Sequence, residues 1–244
     1  INAGGKLVTP GLVDCHTHMI FAGHRASEFL RRLAGEDYAA IAAAGGGIRS
    51  TVQATAAERD DTLEKSLATP IERWRAAGCT TVEVKSGYGA SLQGEMRLLE
   101  LMRGAAHRVP VRLHRTALLM HHLPESYRER RARYCDEILE HLLPEIRRRD
   151  LATAVDAFCD PVAFTVEECR KVLTGAKAMG FGITLHADQL ERSGGARLAA
   201  ELGARSADHL ESATPEDWKA LADAGVVGVL LPAAALTLRL PLPE

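Results

Sequence analysis

Short apolar runs alternate with longer amphipathic stretches along most of the chain. Seven runs, at 11–15, 80–84, 111–115, 154–158, 183–185, 206–208 and 226–231, are apolar or β-branched and bounded by Gly, Pro or polar residues. That is how buried strands read. Helical stretches lie between them. One runs from Thr69-Pro70 to Ala77 and stops at Gly78, and a second runs from Thr165 to Met179, opening on Glu167-Glu168 and stopping at Gly180. A third begins with Thr214 as cap and Pro215 in the first turn, and ends before Gly225. Acidic starts and glycine stops agree with helix termini.

Strand and helix alternating about seven times predicts βα units on a parallel sheet. Two architectures compete, a (β/α)8 TIM barrel and an open doubly wound sheet, and periodicity does not separate them. Polar placement does. Candidate ligands and acids recur at the C-terminal ends of several runs, where a barrel converges its chemistry. The expectation is an α/β barrel over residues 10–244 with strands 1 to 7 present and strand 8 absent, after a remnant of a small β-domain or linker at 1–9. The chain starts at Ile1 without Met and stops at Pro241-Leu242-Pro243-Glu244 just after a strand-like run, which reads as a fragment. A seven-stranded wall leaves edges unpaired, so it is expected to be unstable alone unless a partner chain or swapped segment closes it. Gly45-Gly46-Gly47 reads as an active-site loop or a helix stop.

Composition narrows the function. A net charge of −2 offers no general affinity for nucleic acid or anionic membrane. No apolar run approaches the roughly 20 residues that span a bilayer, and the N-terminus lacks a secretory pattern. Five cysteines without a CxxC pair suit a reducing cytoplasm.

The sharpest local feature is His16-Thr17-His18, directly after the first apolar run. Alternate strand residues share a face, so both imidazoles can reach one ion, and zinc accepts such nitrogens. An isolated HxH is more often two polar residues at a strand end. His186 and His209, however, stand at the ends of two further runs, and a barrel brings such ends to one rim. Arg25 could clamp a carboxylate bidentately, although a lone loop arginine is usually solvated. Lys85-Ser86-Gly87-Tyr88-Gly89 is either a plain βα turn or a close-approach loop carrying Tyr88. Of His121 and His122, one is expected to point inward and the other outward. The arginines from Arg128 to Arg133 read as a solvated helix face.

These residues resemble a known family. The stretch Val8 to His18 is similar to the first barrel strand of the amidohydrolase superfamily. Phe21-Ala22-Gly23-His24-Arg25, Val84 to Gly89, His186-Ala187-Asp188-Gln189 and Ala207 to Glu211 resemble its imidazolonepropionase branch, in order and through nearly the whole chain. The first motif is generic; the Lys-Ser-Gly-Tyr-Gly segment is far more selective. The resemblance implies that His16, His18 and His186 bind a metal, zinc or iron, with His209 beside it. It implies substrate contacts from Arg25, Tyr88, His121 and Gln189. The implied reaction is hydrolysis of the cyclic amide of 4-imidazolone-5-propanoate to N-formimidoyl-L-glutamate in histidine degradation, with His209 orienting the carbonyl and Arg25 holding the propionate. The family's fourth metal-binding residue, an aspartate on the eighth strand, lies beyond this chain. Some relatives carry Glu where Gln189 stands, and an amide cannot act as a base. Asp188, expected on the strand face of His186, is the substitute. The implied partner is a small molecule, with a second copy in a homodimer as the one protein partner considered. Competing readings are a hydrolase of another cyclic amide and a truncated, non-catalytic metal-binding remnant.

Overall fold

Each predicted run holds a strand. They are β1 (Leu12–Asp14), β2 (Cys79–Lys85), β3 (Arg112–Met120), β4 (Ala154–Cys159), β5 (Gly182–Ala187), β6 (Ser206–His209) and β7 (Val227–Val229). All pair in parallel, and their order in the sheet is their order in sequence. A doubly wound sheet would reverse that order at a switch point, so this is the wall of a curled barrel. The computed structural model describes residues 2–36, 40–41 and 44–243; Ile1 and Glu244, the ends of the two expected regions, lie outside them. Residues 2–11 form a turn but neither helix nor strand.

The helices among the described residues are α1 (Ala26–Leu33), α2 (Ile48–Ala57), α3 (Asp60–Ala76), α4 (Leu92–Ala106), α5 (Arg131–Glu137), α6 (Leu143–Arg148), α7 (Val166–Ala178), α8 (Gly195–Leu202), α9 (Pro215–Asp223) and α10 (Pro232–Leu238). One wide turn, Ile138–Leu142, joins α5 to α6. The main core lies between helices and sheet. Leu63, Leu67 and Ile71 of α3 and Leu98, Leu99 and Met102 of α4 are buried against it, each worth about 1.5–3 kcal/mol of hydrophobic transfer.

Helix starts follow the expected chemistry in two cases. Thr165 caps α7 by accepting from Glu168 N (3.2 Å) while Thr165 N donates to Glu168 Oε2 (2.9 Å). Thr214 N donates to Asp217 Oδ2 (3.0 Å) at the start of α9. The helix expected to open at Thr69-Pro70 instead begins at Asp60 and carries Pro70 in its interior. Its apolar positions Leu63, Leu67 and Ile71 recur four apart straight through the proline, and burial of that stripe outweighs the one backbone donor that proline lacks. The arginines at 128–133 follow a short 3-10 turn, Glu125–Tyr127, and run into the start of α5 rather than forming one helix face; Arg131 forks onto Glu168 at 2.7 and 2.6 Å.

β1 and β7 each keep one edge unpaired among the described residues, and Leu12, Val13 and Val227 are more than half exposed there. At the upper rim α10 bridges toward α1: Arg32 Nε donates to Thr237 O (3.2 Å) and Arg239 Nη1 donates to Arg32 O (3.1 Å). No described helix is long and apolar enough to cross a membrane.

Candidate metal centre

The C-terminal ends of the strands open into a cavity of about 700 Å³. Its floor is built from histidines at or just beyond the ends of three strands. β1 stops at Asp14, so His16 and His18 lie just beyond it rather than on it. The segment still follows β2, because Lys85 N donates to Thr17 O (2.9 Å) and Thr17 Oγ1 donates to Glu83 O (2.5 Å). The alternation the sequence suggested therefore survives past the strand end. His186 comes from β5 and His209 from the end of β6.

Three imidazole nitrogens converge. His18 Nε2 lies 3.2 Å from His16 Nε2 and 3.3 Å from His186 Nε2. Nitrogens about 2.0–2.1 Å from a tetrahedral zinc stand roughly 3.3–3.4 Å apart, so the donor set fits one ion. His16 Nδ1 is 2.7 Å from Asp208 Oδ2. His186 Nδ1 lies 3.0 Å from Asp156 Oδ2, off the best hydrogen-bond line. A carboxylate only accepts, so a proton on each Nδ1 leaves Nε2 as a free lone pair facing its neighbours. Lone pairs at this distance repel unless a cation, or a proton on His18 Nε2, lies between them. Burial first, then the neighbouring His186, lowers the pKa of His16 to about 3. Burial also holds His18 and His121 well below their ordinary value. Neutral imidazole is the ligand form.

Beneath the histidines sits an ionic layer. Lys85 is fully buried, with Nζ 2.7 Å from Asp156 Oδ2, 2.9 Å from Glu83 Oε2 and 3.2 Å from Asp208 Oδ2. Burial works against the ammonium, but the three carboxylates outweigh it and raise its pKa. Asp208 is pulled down to about 2, since Lys85 and His16 overcome the cost of burying it. One ammonium against three carboxylates leaves two negative charges, which a divalent cation above them would balance.

The cavity wall collects most of the remaining candidates. Arg25, Tyr88, His121, Gln189 and His209 all line it. No carboxylate pairs with the Arg25 guanidinium among the described residues. His121 Nδ1 faces Gly87 O at 3.2 Å, which leaves Nε2 as an acceptor, and its ring stacks on His18 with centroids 5.1 Å apart. His122 takes the outer position, as expected of the pair. His209 is turned inward by an unusual backbone: it has φ 81° and Leu210 has φ 69°, both left-handed without being glycine. Burial lowers the His209 pKa against the pull of Glu211, whose Oε1 is 3.6 Å from Nδ1. Of the triple glycine, Gly47 precedes α2 and donates its N–H to Glu28 Oε1 (3.1 Å), so it serves as a helix start rather than a wall of the cavity.

Asp188 is placed differently from the sequence expectation. β5 ends at Ala187, and Asp188 has φ 49°, so the same-face argument no longer applies. Its carboxylate accepts from Ser193 N (2.7 Å), Ser193 Oγ (3.0 Å), Gly194 N (2.9 Å), Gly195 N (3.2 Å) and Ala196 N (2.9 Å). It holds the start of α8 and does not line the cavity. Asp156, Asp208, Lys85 and Arg32 are residues of the site that the sequence reading assigned no role. For Asp156, Asp208 and Lys85 the available signal was a charged residue embedded in an apolar strand; Arg32 lies on α1 and gave no such signal.

The loop carrying Tyr88 is clamped from behind by Glu95 of α4. Its carboxylate accepts from Gly87 N (2.9 Å) and Gly89 N (2.5 Å). The glycines are required here, because a Cβ on Gly89 would lie 2.3 Å from Glu95 N. Burial pushes the Glu95 pKa up to about 7, against the lowering effect of Ser86, Gly89 and Gly87. The folded pKa lies above the ordinary 4.5, so the folded chain binds this proton more tightly than the unfolded chain does. The resulting stability is full below about pH 4.5 and lost as pH rises to about 7. Denaturant titrations across that window are expected to show a smaller pH-dependent loss in Glu95→Gln than in the parent. Superimposable profiles would refute the perturbed carboxyl.

Comparison with known proteins adds context to this geometry. The Amidohydrolase family matches residues 7–237. The Imidazolonepropionase of Erwinia tasmaniensis is 47% identical over 236 residues, covering 97% of this chain and 58% of that protein. The Imidazolonepropionase of Pseudomonas entomophila is 45% identical over 239 residues, covering 98% and 60%. The chain thus spans about three fifths of the length of these relatives. Among solved structures, adenine deaminase from Arthrobacter aurescens aligns with TM-score 0.64 at 13% identity, over 95% of this chain and 75% of that one. The N6-methyl-AMP deaminase of Arabidopsis thaliana aligns at 0.60 and 13%, over 94% and 73%. At such identities the likeness concerns the fold alone.

Proposed function

Because the chain belongs to the amidohydrolase family, we propose that it carries the metal site and substrate wall of a hydrolase that opens the cyclic amide of 4-imidazolone-5-propanoate to N-formimidoyl-L-glutamate. The observation that carries this reading is the meeting of three histidine Nε2 atoms on the floor of a cavity whose wall holds Arg25. The name shared by the curated relatives supports the substrate.

His16, His18 and His186 would hold the ion, zinc or iron. When bound, such an ion activates water and polarises a carbonyl. The remaining chemistry belongs to side chains. Arg25 meets the propionate carboxylate, which fixes one end of the ring. Tyr88 and His121 line the same cavity, and the Gln189 amide hydrogen-bonds a ring heteroatom. His209, kept neutral by burial, takes the proton released as water adds to the ring carbonyl. It returns that proton to the nitrogen as the C–N bond breaks. Asp188 has no part in this, since its oxygens are occupied by the start of α8. On this reading residues 1–9 are a remnant of a small β-domain or a linker, and 10–244 belong to the barrel. Five free thiols suit a reducing cytoplasm.

The test is to incubate the purified chain with freshly prepared 4-imidazolone-5-propanoate, with zinc, with iron or with chelator, and follow loss of imidazolone absorbance above the spontaneous rate. Zinc-dependent loss is expected, and Arg25→Ala should raise KM about 10–100-fold, as for a lost charged hydrogen bond. Absence of loss above background with zinc and with iron refutes the reaction for this chain. An unchanged KM refutes the clamp, and faster turnover of a cyclic amide lacking a carboxylate moves the substrate elsewhere in the family.

A further inference from the structure

Lys85 reaches both metal-facing histidines without touching either. Its Nζ shares Oδ2 of Asp208 with His16 Nδ1, at 3.2 and 2.7 Å, and Oδ2 of Asp156 with His186 Nδ1, at 2.7 and 3.0 Å. The lysine and the carboxylates come from the even strands β2, β4 and β6, and the histidines from the odd strands β1 and β5 or their ends. In a barrel, alternate strands fill one layer of the interior, so the ionic layer lies directly under the histidine layer. Oδ1 of Asp156 accepts from Ala157 N (2.7 Å) and His186 N (3.2 Å), which leaves Oδ2 for this arrangement. His18 differs: its Nδ1 is buried with no carboxylate beside it, whereas His186 Nδ1, though outside hydrogen-bond geometry, keeps Asp156 Oδ2 at 3.0 Å, so the layer faces two of the three histidines.

We propose that Lys85 is a positioning residue that ties Asp156 and Asp208 into one unit and thereby fixes the ring tautomers of His16 and His186 together, so that both present Nε2 to a single ion. Two carboxylates drawn to one ammonium keep their Oδ2 atoms aimed at the imidazole Nδ1–H groups; without it, like charges separate and the acceptors leave their places. The idea rests on the metal reading above, but its consequences appear in the metal-free protein.

The experiment uses the whole chain, labelled with 15N at histidine, and compares the parent with Lys85→Met and Asp156→Asn. Methionine keeps the volume of the buried stem, and asparagine keeps the Oδ1 acceptor. In the zinc-free parent, the His16 and His186 signals should show the proton on Nδ1. In Lys85→Met both should become mixed tautomers. In Asp156→Asn the His16 signals should move as well as those of His186, although Asp156 does not touch His16, because Lys85 turns fully to Asp208. Zinc affinity, measured by competition with a chromogenic chelator, should fall 10–100-fold in Lys85→Met. Removal of a positive charge alone would strengthen cation binding, so equal or tighter zinc binding overturns the proposal. Confinement of the Asp156→Asn effect to His186 also overturns it, and that arm stands even if Lys85→Met does not fold. A parent that binds no zinc but shows both tautomers fixed would sink the metal reading alone.

Discussion

His18→Ala is expected to remove zinc from the chain and, in a turnover assay, to lower the rate on the order of 10³-fold, the scale of several kcal/mol of charge stabilisation. His18 is the central donor, within 3.2 Å of His16 Nε2 and 3.3 Å of His186 Nε2. Its loss leaves the other two without the edge they share. Other consequences are small, because His18 Nδ1 bonds to nothing in the protein. The main structural cost is the ring's contact with His121 and Tyr88, about 1–2 kcal/mol of packing. Metal analysis of the dialysed protein and thermal melts with and without zinc separate these effects. The parent should gain about 2.7 kcal/mol at a hundredfold excess of zinc over Kd, and the variant should gain nothing. Zinc retained one-to-one with an undiminished melting shift would remove His18 from the site.

Asp188→Ala should cost about 3–5 kcal/mol of stability, since it strands a cluster of donors at the buried start of α8. For a chain of this size that is a fall of roughly 10 °C in Tm. Asp188→Asn keeps one acceptor and should lose less than half as much. The pair also tests the base role that the sequence reading gave this residue. If Asp188→Asn folds with near-parent stability yet abolishes turnover, the carboxylate acts chemically and the anchoring account is wrong.

The legible parts of the molecule are those set by local pattern. β4 and β5 are short apolar runs closed by polar residues, and at the helix starts the Thr165 side chain accepts from Glu168 N while Thr214 N donates to the Asp217 carboxylate. His16, His18, His186 and His209 could be found because each follows such a run. Pro70 misled because its local effect is real but smaller than burial of Leu63, Leu67 and Ile71. Asp188 misled because face alternation holds only while the strand continues, and β5 stops one residue earlier. The link from Lys85 to Asp156 and Asp208 depends on register across β2 to β6, which no local pattern carries. A charged residue inside an apolar strand signals a buried partner but does not say which.

The two left-handed residues His209 and Leu210 set a limit on how this chain can change. Each costs about 1–2 kcal/mol relative to a glycine in the same conformation, yet glycine at 209 deletes the imidazole, and glycine at 210 empties a fully buried site in the core. On the proposed role of His209, selection for thermal robustness and selection for reaction geometry therefore pull in opposite directions over one dipeptide. Random mutagenesis scored only on folding should drift toward small or amide residues at 209, and the survivors would be sturdier proteins with an idle cavity.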